Sequence, residues 1–378
     1  MNLHSNGSAS FTTTLKKAVP VPLKHGIKRL IGIQPDPPEK KAKPVEYWID
    51  VVSGCNLRCT ACPVGMPEFT NSIGQRLREM DLELFEQICI KAKNDTGGNL
   101  RIGLYNWTEP TLHSRLDEII AISVKHGIPC GISSNLNHNY DWTKLKPFPL
   151  WNFTITVSGF TQKVYAINHR GGRIEPVLAN LIRISETLSD WPSYKDIDVR
   201  YLVHRDNKHE VHLFKHFCDK LGLKFTPYHA YYMPIERMFE GLEGVPDGFD
   251  YIEYSPQMVS KAIGDHRSQR CFMRDSQVTL DMDGNYSVCC VESPSSPRLG
   301  NYLEDSYTTM QKRRVSSELC AKCTAKGVNI FATYGYEEPQ EIQDAIRASL
   351  PFDLTALTAP PQAEAPETKQ ENNSPPSL

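Results

Sequence analysis

The chain has 378 residues, 40% hydrophobic and 23% charged, a composition that excludes wholesale disorder and leaves length for one large core and a smaller module. A formal net charge of −2 argues against general affinity for nucleic-acid phosphates, and no apolar run reaches the roughly 20 residues that span a bilayer. Eleven cysteines, without the charged-then-apolar order of a signal peptide, are expected in a reducing, cytoplasmic setting as metal ligands or buried thiols rather than disulfides.

Residues 1–45 form an arm in which Pro20, Pro22, Pro35, Pro37 and Pro38 interrupt any long helix. Within it Leu23, Ile27, Leu30 and Ile31 alternate with Lys24, Lys28 and Arg29. The expectation is a short helix closing one end of the core, with weak contact to a membrane surface or partner as the alternative. From residue 46 to 264 short β-type runs alternate with helical periods, the pattern of βα units around a parallel sheet. Strands are predicted at Glu46–Val52, Leu100–Tyr105, Ile128–Ser133, Asn152–Val157, Asp196–Val203 and Lys224–Tyr228. Helices carry Leu116, Ile119, Ile120 and Val124, then Val211, Phe214, Cys218 and Leu221, at helical spacing. The α/β class is thus expected as a partial (β/α)6 TIM-like barrel, whose loops at the C-terminal strand ends converge on one face. Residues 265–335 trade this alternation for turns and clustered cysteines and read as a small second module. A helix is expected over 336–357, and a disordered Pro- and Ala-rich tail over 358–378.

Directly after the first strand, Cys55, Cys59 and Cys62 offer three thiolates within eight residues. A closed zinc site takes four protein ligands, whereas a four-iron cubane held by three thiolates keeps one iron open; zinc remains the alternative. This Cys-x3-Cys-x2-Cys loop resembles that of the radical S-adenosylmethionine (SAM) superfamily, over about residues 47–335. The resemblance implies a [4Fe-4S] cluster whose open iron chelates SAM, one-electron cleavage of SAM to a 5'-deoxyadenosyl radical, and abstraction of a substrate hydrogen by that radical. It implies an external one-electron donor such as flavodoxin or ferredoxin. The residue before the third cysteine is often aromatic in the family and here is Ala61. Tyr105-Asn106-Trp107-Thr108-Glu109-Pro110 resembles the family's Gly-Gly-Glu-Pro segment, with Trp107 and Thr108 in the glycine places and Glu109 as the carboxylate for the SAM ammonium. Ser133, Ser134 and Asn135 resemble the family's Ser-Thr-Asn stretch, and Ser158 and Arg200 are further candidates for ribose and carboxylate contacts.

Further along, Cys271 and Cys289 bracket Asp283-Gly284, and Cys320 and Cys323 follow as a pair. Four thiolates make a closed site, and the pattern resembles the C-terminal SPASM/twitch extension of radical SAM enzymes. A second [4Fe-4S] cluster on Cys271, Cys289, Cys320 and Cys323 is implied, with Cys290 able to replace Cys289 and a zinc ribbon held by four cysteine ligands as the alternative. A fully ligated cluster suits electron transfer to or from a substrate radical. Cys89, Cys130 and Cys218 lie among apolar residues and are expected to be core thiols.

Candidate substrate contacts follow strands four and six: His169 and Arg170, then His229 and Tyr231. The reading is oxidation or epimerisation of a sugar or another small metabolite, because the residues before strand one are too few and too Pro-rich for a winged-helix leader-binding domain. A peptide maturase is the second reading. A non-enzymatic iron-sulfur electron carrier or structural metal protein is the third.

Overall fold

A computed structural model describes residues 43–70 and 76–359. The N-terminal amphipathic segment and nearly all of the C-terminal tail lie outside the described residues. From Pro44 onward the described residues form one compact unit.

Seven strands run parallel in the order β6-β5-β4-β3-β2-β1-β7, and two short antiparallel strands, β8 and β9, extend the sheet beyond β7. They are β1 (Val45–Ile49), β2 (Leu100–Gly103), β3 (Cys130–Ser134), β4 (Leu150–Val157), β5 (Ile197–Val203), β6 (Lys224–His229), β7 (Gln277–Leu280), β8 (Asn285–Tyr286) and β9 (Gly300–Asn301). The sheet has two open edges, so the barrel is partial. The first six strands match the expected ones within a few residues. β7 was not expected: four residues, Gln-Val-Thr-Leu, are too short for a period-2 signal, and pairing with β1 decides their state. The segment expected as a separate module over 265–335 therefore contributes a strand to the barrel sheet itself.

Strand alternation sorts the side chains. Tyr47 and Ile49 of β1 point into the main core, where they meet Phe85, Ile88 and Ala92 of α1 (Leu82–Asp95). Asp81 caps that helix, its carboxylate accepting from the amides of Glu83 at 2.8 Å and Leu84 at 3.3 Å. α2 (Leu116–Lys125) buries Leu116, Ile119 and Ile120, as its spacing predicts. α3 (Gln162–Asn168) and α4 (Ile174–Leu188) follow β4, and α5 (Val211–Leu221) buries Val211, Phe214 and Cys218 before ending at Gly222 with φ of 67°. Each large apolar side chain so buried contributes roughly 1.5–3 kcal/mol. Cys89, Cys130 and Cys218 are fully buried core thiols.

The opposite faces of the strands carry Glu46, Trp48, Arg101, Asn152, Thr154, Asp198 and Arg200, which fill the concave side of the sheet. Trp48 packs on Tyr105 with centroids 5.0 Å apart, and the Arg101 guanidinium pairs with Glu46 and stacks 4.1 Å over Trp151. A second core, containing Tyr232, Tyr251, Tyr254 and Phe331, lies around the C-terminal segments. The last α-helix spans Gln340–Ser349 and stops before Leu350-Pro351, shorter than the expected 336–357 because Pro351 disfavours helix at the residue before it; a single 3-10 turn follows at Ala356–Thr358.

Candidate active site

The first cysteine loop leaves the end of β1 and is clamped from outside. Arg58 and Thr60 donate backbone N–H bonds to the carbonyls of Arg170 and Asn168, at 2.9 and 2.8 Å, and the loop closes on itself through Cys62 N–H to Cys59 (3.3 Å) and Gly65 N–H to Cys62 (2.8 Å). The Arg170 guanidinium donates to the carbonyls of Arg58 (3.0 Å) and Gly65 (3.3 Å). At Gly65 a β-carbon would lie 2.3 Å from the Cys59 carbonyl oxygen and 2.7 Å from the Arg58 carbonyl carbon, so the loop closes only around glycine. Gly65→Ala is expected to force the loop open at a cost of about 1–3 kcal/mol and to lower the iron retained after anaerobic reconstitution, measured by iron counting on folded protein.

Cys55, Cys59 and Cys62 border one cavity at the C-terminal strand ends, and Glu109, Ser133, Ser134 and Asn135 border it too. Glu109 is 3% exposed. Its carboxylate accepts from the Thr111 hydroxyl at 2.6 Å and from the Asn135 amide at 2.8 Å, while burial pushes its pKa up. Asn135 also donates its side-chain amide toward the Cys55 sulfur at 3.5 Å and to Asn56 at 2.9 Å, which ties the β3 loop to the cysteine loop. Burial pushes the Cys55 thiol up to about 12, with Glu109 adding to the effect, and Cys62 up to about 11. Cys59 is raised further by burial and by its two neighbouring thiols. Crowded thiols of this kind pass to thiolates when a metal centre takes the place of their protons.

The remaining expected contacts separate. His169 borders the cavity, its ring stacked 4.6 Å from Tyr165; burial lowers its pKa to about 3, so it is neutral. Ser158 is fully buried and lies 2.6 Å from His169 Nδ1, one layer behind the cavity wall. Tyr231 borders the cavity. Arg170 serves the cysteine loop from outside, as described. His229 points away, because it occupies an outward position at the end of β6, where it packs against Phe352 at 4.5 Å and Tyr254 at 5.9 Å. Arg200 faces the concave side but spends its Nε on Asp198 at 3.2 Å, and it does not border the cavity. Tyr105 and Tyr228, which open two of the segments quoted from the sequence without a role of their own, border it as well, and so does Thr156, which sequence reasoning did not single out. Their signal was present as the inward phase of β2, β4 and β6. Asp50 was also missed: an acidic residue that closes the otherwise apolar end of β1 and reaches the Asn106–Thr108 loop.

The second set of cysteines gathers at the other side of β7. Cys320 and Cys323 share a face of the helix Glu318–Lys326, which Ser317 caps by accepting from the Cys320 amide at 3.1 Å. The Arg274 guanidinium reaches the Cys320 sulfur at 3.6 Å. Burial raises the thiols of Cys271, Cys289, Cys290 and Cys323, and each is raised further by at least one of its neighbours in the set: Cys320 acts on Cys271, Cys290 on Cys289, Cys271 on Cys290 and on Cys323. Cys290 also donates its thiol to the Gln277 side-chain oxygen at 3.3 Å. Arg314, with no exposed surface, lies against this group, and burial lowers its pKa.

Among the described residues, no group of three or more His, Cys, Asp or Glu side chains could hold a metal ion as it stands. Three thiols bordering one cavity would fit a four-iron cubane, which is wider than a single ion and could take one thiolate at each of three corners. No helix among the described residues is long and apolar enough to cross a membrane.

Comparison with known proteins gives one match to a family model. Residues 49–218 match the model of the Radical SAM superfamily. No curated protein matches the chain. Among solved structures, SuiB of Streptococcus suis superposes with a TM-score of 0.51 at 12% identity, covering 85% of this chain and 74% of that one. BtrN in complex with AdoMet and 2-DOIA gives 0.43 at 14% identity, covering 75% and 88%. Native anSMEcpe with bound AdoMet gives 0.47 at 16% identity, covering 74% and 83%. At these identities the likeness to SuiB speaks for the fold alone.

Proposed function

We propose, for a chain whose residues 49–218 are a radical SAM superfamily domain, that Cys55, Cys59 and Cys62 hold a [4Fe-4S] cluster and that the adjoining cavity binds SAM for hydrogen abstraction from a substrate. The observation that carries this reading is the convergence of the three thiols with Glu109 and Ser133–Asn135 on one cavity, from the ends of β1, β2 and β3. When bound, the cluster and SAM supply a 5'-deoxyadenosyl radical by one-electron reductive cleavage. The chain's own residues bind and orient. Glu109 faces the cavity with a buried carboxylate suited to an ammonium, Asn135 links that carboxylate to the cysteine loop, and neutral His169 closes the wall without adding charge. An external one-electron donor completes the reaction.

The test is anaerobic reconstitution with iron and sulfide, followed by iron counting and a dithionite-driven assay for 5'-deoxyadenosine from SAM. About four irons per site and 5'-deoxyadenosine formation are expected. Zinc in the first site, or no 5'-deoxyadenosine from well-folded protein, sinks the reading and leaves a metal-binding protein without this chemistry.

A second, auxiliary [4Fe-4S] cluster is proposed on Cys271, Cys289, Cys320 and Cys323. The Cys290 thiol, engaged with Gln277, supports Cys289 as the fourth ligand. Cys290→Ser is therefore expected to retain about eight irons per chain and Cys289→Ser to fall to about four; the reverse order would exchange the two roles.

For the substrate, a hydroxyl-rich small metabolite is favoured, because Tyr105, Thr156, Tyr228 and Tyr231 bring phenol and hydroxyl groups together with apolar rings on the cavity wall. Oxidation or epimerisation fits an auxiliary cluster that accepts or returns an electron. The competing reading is a peptide substrate; the SuiB crystal structure bound to precursor peptide SuiA concerns that protein and sets the comparison to run. Deuterium transfer into 5'-deoxyadenosine from labelled sugars or from labelled peptides separates the two.

A further inference from the structure

In the loop between β2 and the helical turn at Pro110, the residues before Glu109 are Asn106, Trp107 and Thr108, none of them glycine. A loop that must expose successive amides in one direction needs either glycine's freedom or an anion to gather them. Here the anion is internal. Oδ1 of Asp50 accepts from the backbone N–H of Asn106 at 2.9 Å, Trp107 at 3.0 Å and Thr108 at 3.1 Å, and from the Thr108 hydroxyl at 2.7 Å. Its Oδ2 lies 3.3 Å from the Trp107 amide. Asp50 is 8% exposed and is anchored in turn, its own N–H donating to Leu280 of β7 at 3.0 Å.

Glu109, like Asn106, Trp107 and Thr108 before it, borders the cavity, and its N–H donates at 3.3 Å to the Gly54 carbonyl beside Cys55. Trp107, meanwhile, donates its indole N–H at 3.0 Å to the Glu292 carbonyl, two residues beyond Cys290. Asp50 itself does not border that cavity. Apart from the effect of its charge on Cys62, it acts on the site through the loop it gathers.

We infer that Asp50 is a positioning residue: by collecting the amides of residues 106–108 it fixes Glu109 against the cysteine loop, and so sets the affinity for SAM without touching SAM. This rests on the reading that Glu109 meets the SAM ammonium. Asp50→Asn keeps the size and can keep an oxygen at the Oδ1 place, but it removes the negative charge from the acceptor of three amides and a hydroxyl and sets an NH2 donor at the Oδ2 place, against the Trp107 amide.

The experiment uses reconstituted full-length protein under anaerobic conditions, with SAM binding by equilibrium dialysis and the SAM dependence of 5'-deoxyadenosine formation. Asp50→Asn is expected to weaken SAM binding about tenfold and to raise KM in step, with wild-type iron content and kcat within about threefold. Thr108→Val, which removes one of the four bonds, is expected to weaken binding about threefold and serves as the deciding variant if Asp50→Asn does not fold. Glu109→Gln is measured alongside. Loss of affinity in Glu109→Gln with wild-type affinity in folded Asp50→Asn and Thr108→Val overturns the role of Asp50 alone. Wild-type affinity in all three overturns the reading of Glu109 and the inference with it. A fall in iron content or melting temperature that accounts for the whole affinity loss in both loop variants assigns Asp50 a purely structural role and also overturns it.

Discussion

Replacement of Cys55, Cys59 or Cys62 by Ala is expected to abolish 5'-deoxyadenosine formation, whereas Cys320→Ala or Cys323→Ala leaves reductive SAM cleavage measurable and stops substrate turnover. The two outcomes differ because the sites differ in access. The first three thiols border the cavity together with Glu109 and Asn135, so a cluster held by them would keep one iron without a protein ligand and open to a cofactor. Cys320 and Cys323 are buried on a helix face among Arg274, Cys271 and the second core. A centre closed by four thiolates can pass an electron but has no free iron for a ligand. The assay is dithionite-driven cleavage beside iron counting, with circular dichroism to separate lost ligation from lost fold. Equal loss of cleavage in folded proteins of both sets would contradict the division of labour.

Arg314→Ala is expected to lower unfolding free energy by about 3–5 kcal/mol in anaerobic urea denaturation and to strip iron from the C-terminal site. The side chain has no exposed surface. Its guanidinium donates to the Val288 carbonyl at 2.9 Å, the Met273 carbonyl at 3.2 Å and Gln311 at 3.2 Å. Val288 precedes Cys289 and Met273 follows Cys271 by two residues, so one planar cation ties together two separate cysteine-bearing segments. Truncation leaves two buried carbonyls without donors and a cavity the size of the side chain. Arg314→Lys is expected to recover little, since one ammonium cannot reproduce the three directions of the fork. Stability within about 1 kcal/mol of wild type for Arg314→Ala would show that water replaces the guanidinium and would remove this role.

Much of the site could be read from the residues alone because its signals are local. Three thiols within eight residues after an apolar strand name a donor set by type and spacing, whereas Glu109 and Ser133–Asn135 stand out only through their resemblance to the family's segments. The parallel sheet tells where they meet, since consecutive βα units bring the C-terminal ends of neighbouring strands together. The residues that failed to reach the cavity did so for reasons a one-dimensional pattern cannot carry. His229 sits one position past Tyr228 on β6, and a single step along a strand turns a side chain from the concave face into the packing against Phe352. Arg170 lies next to His169, yet its long side chain finds the Arg58 and Gly65 carbonyls first.

The sequence by itself thus determined the α/β class, the order of the first six strands, the three core thiols and the cysteine loop. These depend on periodicity and on residues close together in the chain. Tertiary structure alone decided that Gln277–Leu280 pairs with β1, that Arg314 braces two cysteine segments from a distant helix, and that Asp50 gathers the amides of a loop more than fifty residues away. Each of these is a hydrogen-bonded partnership between segments remote in sequence, and buried backbone donors and acceptors take whichever partner the packed chain brings to them.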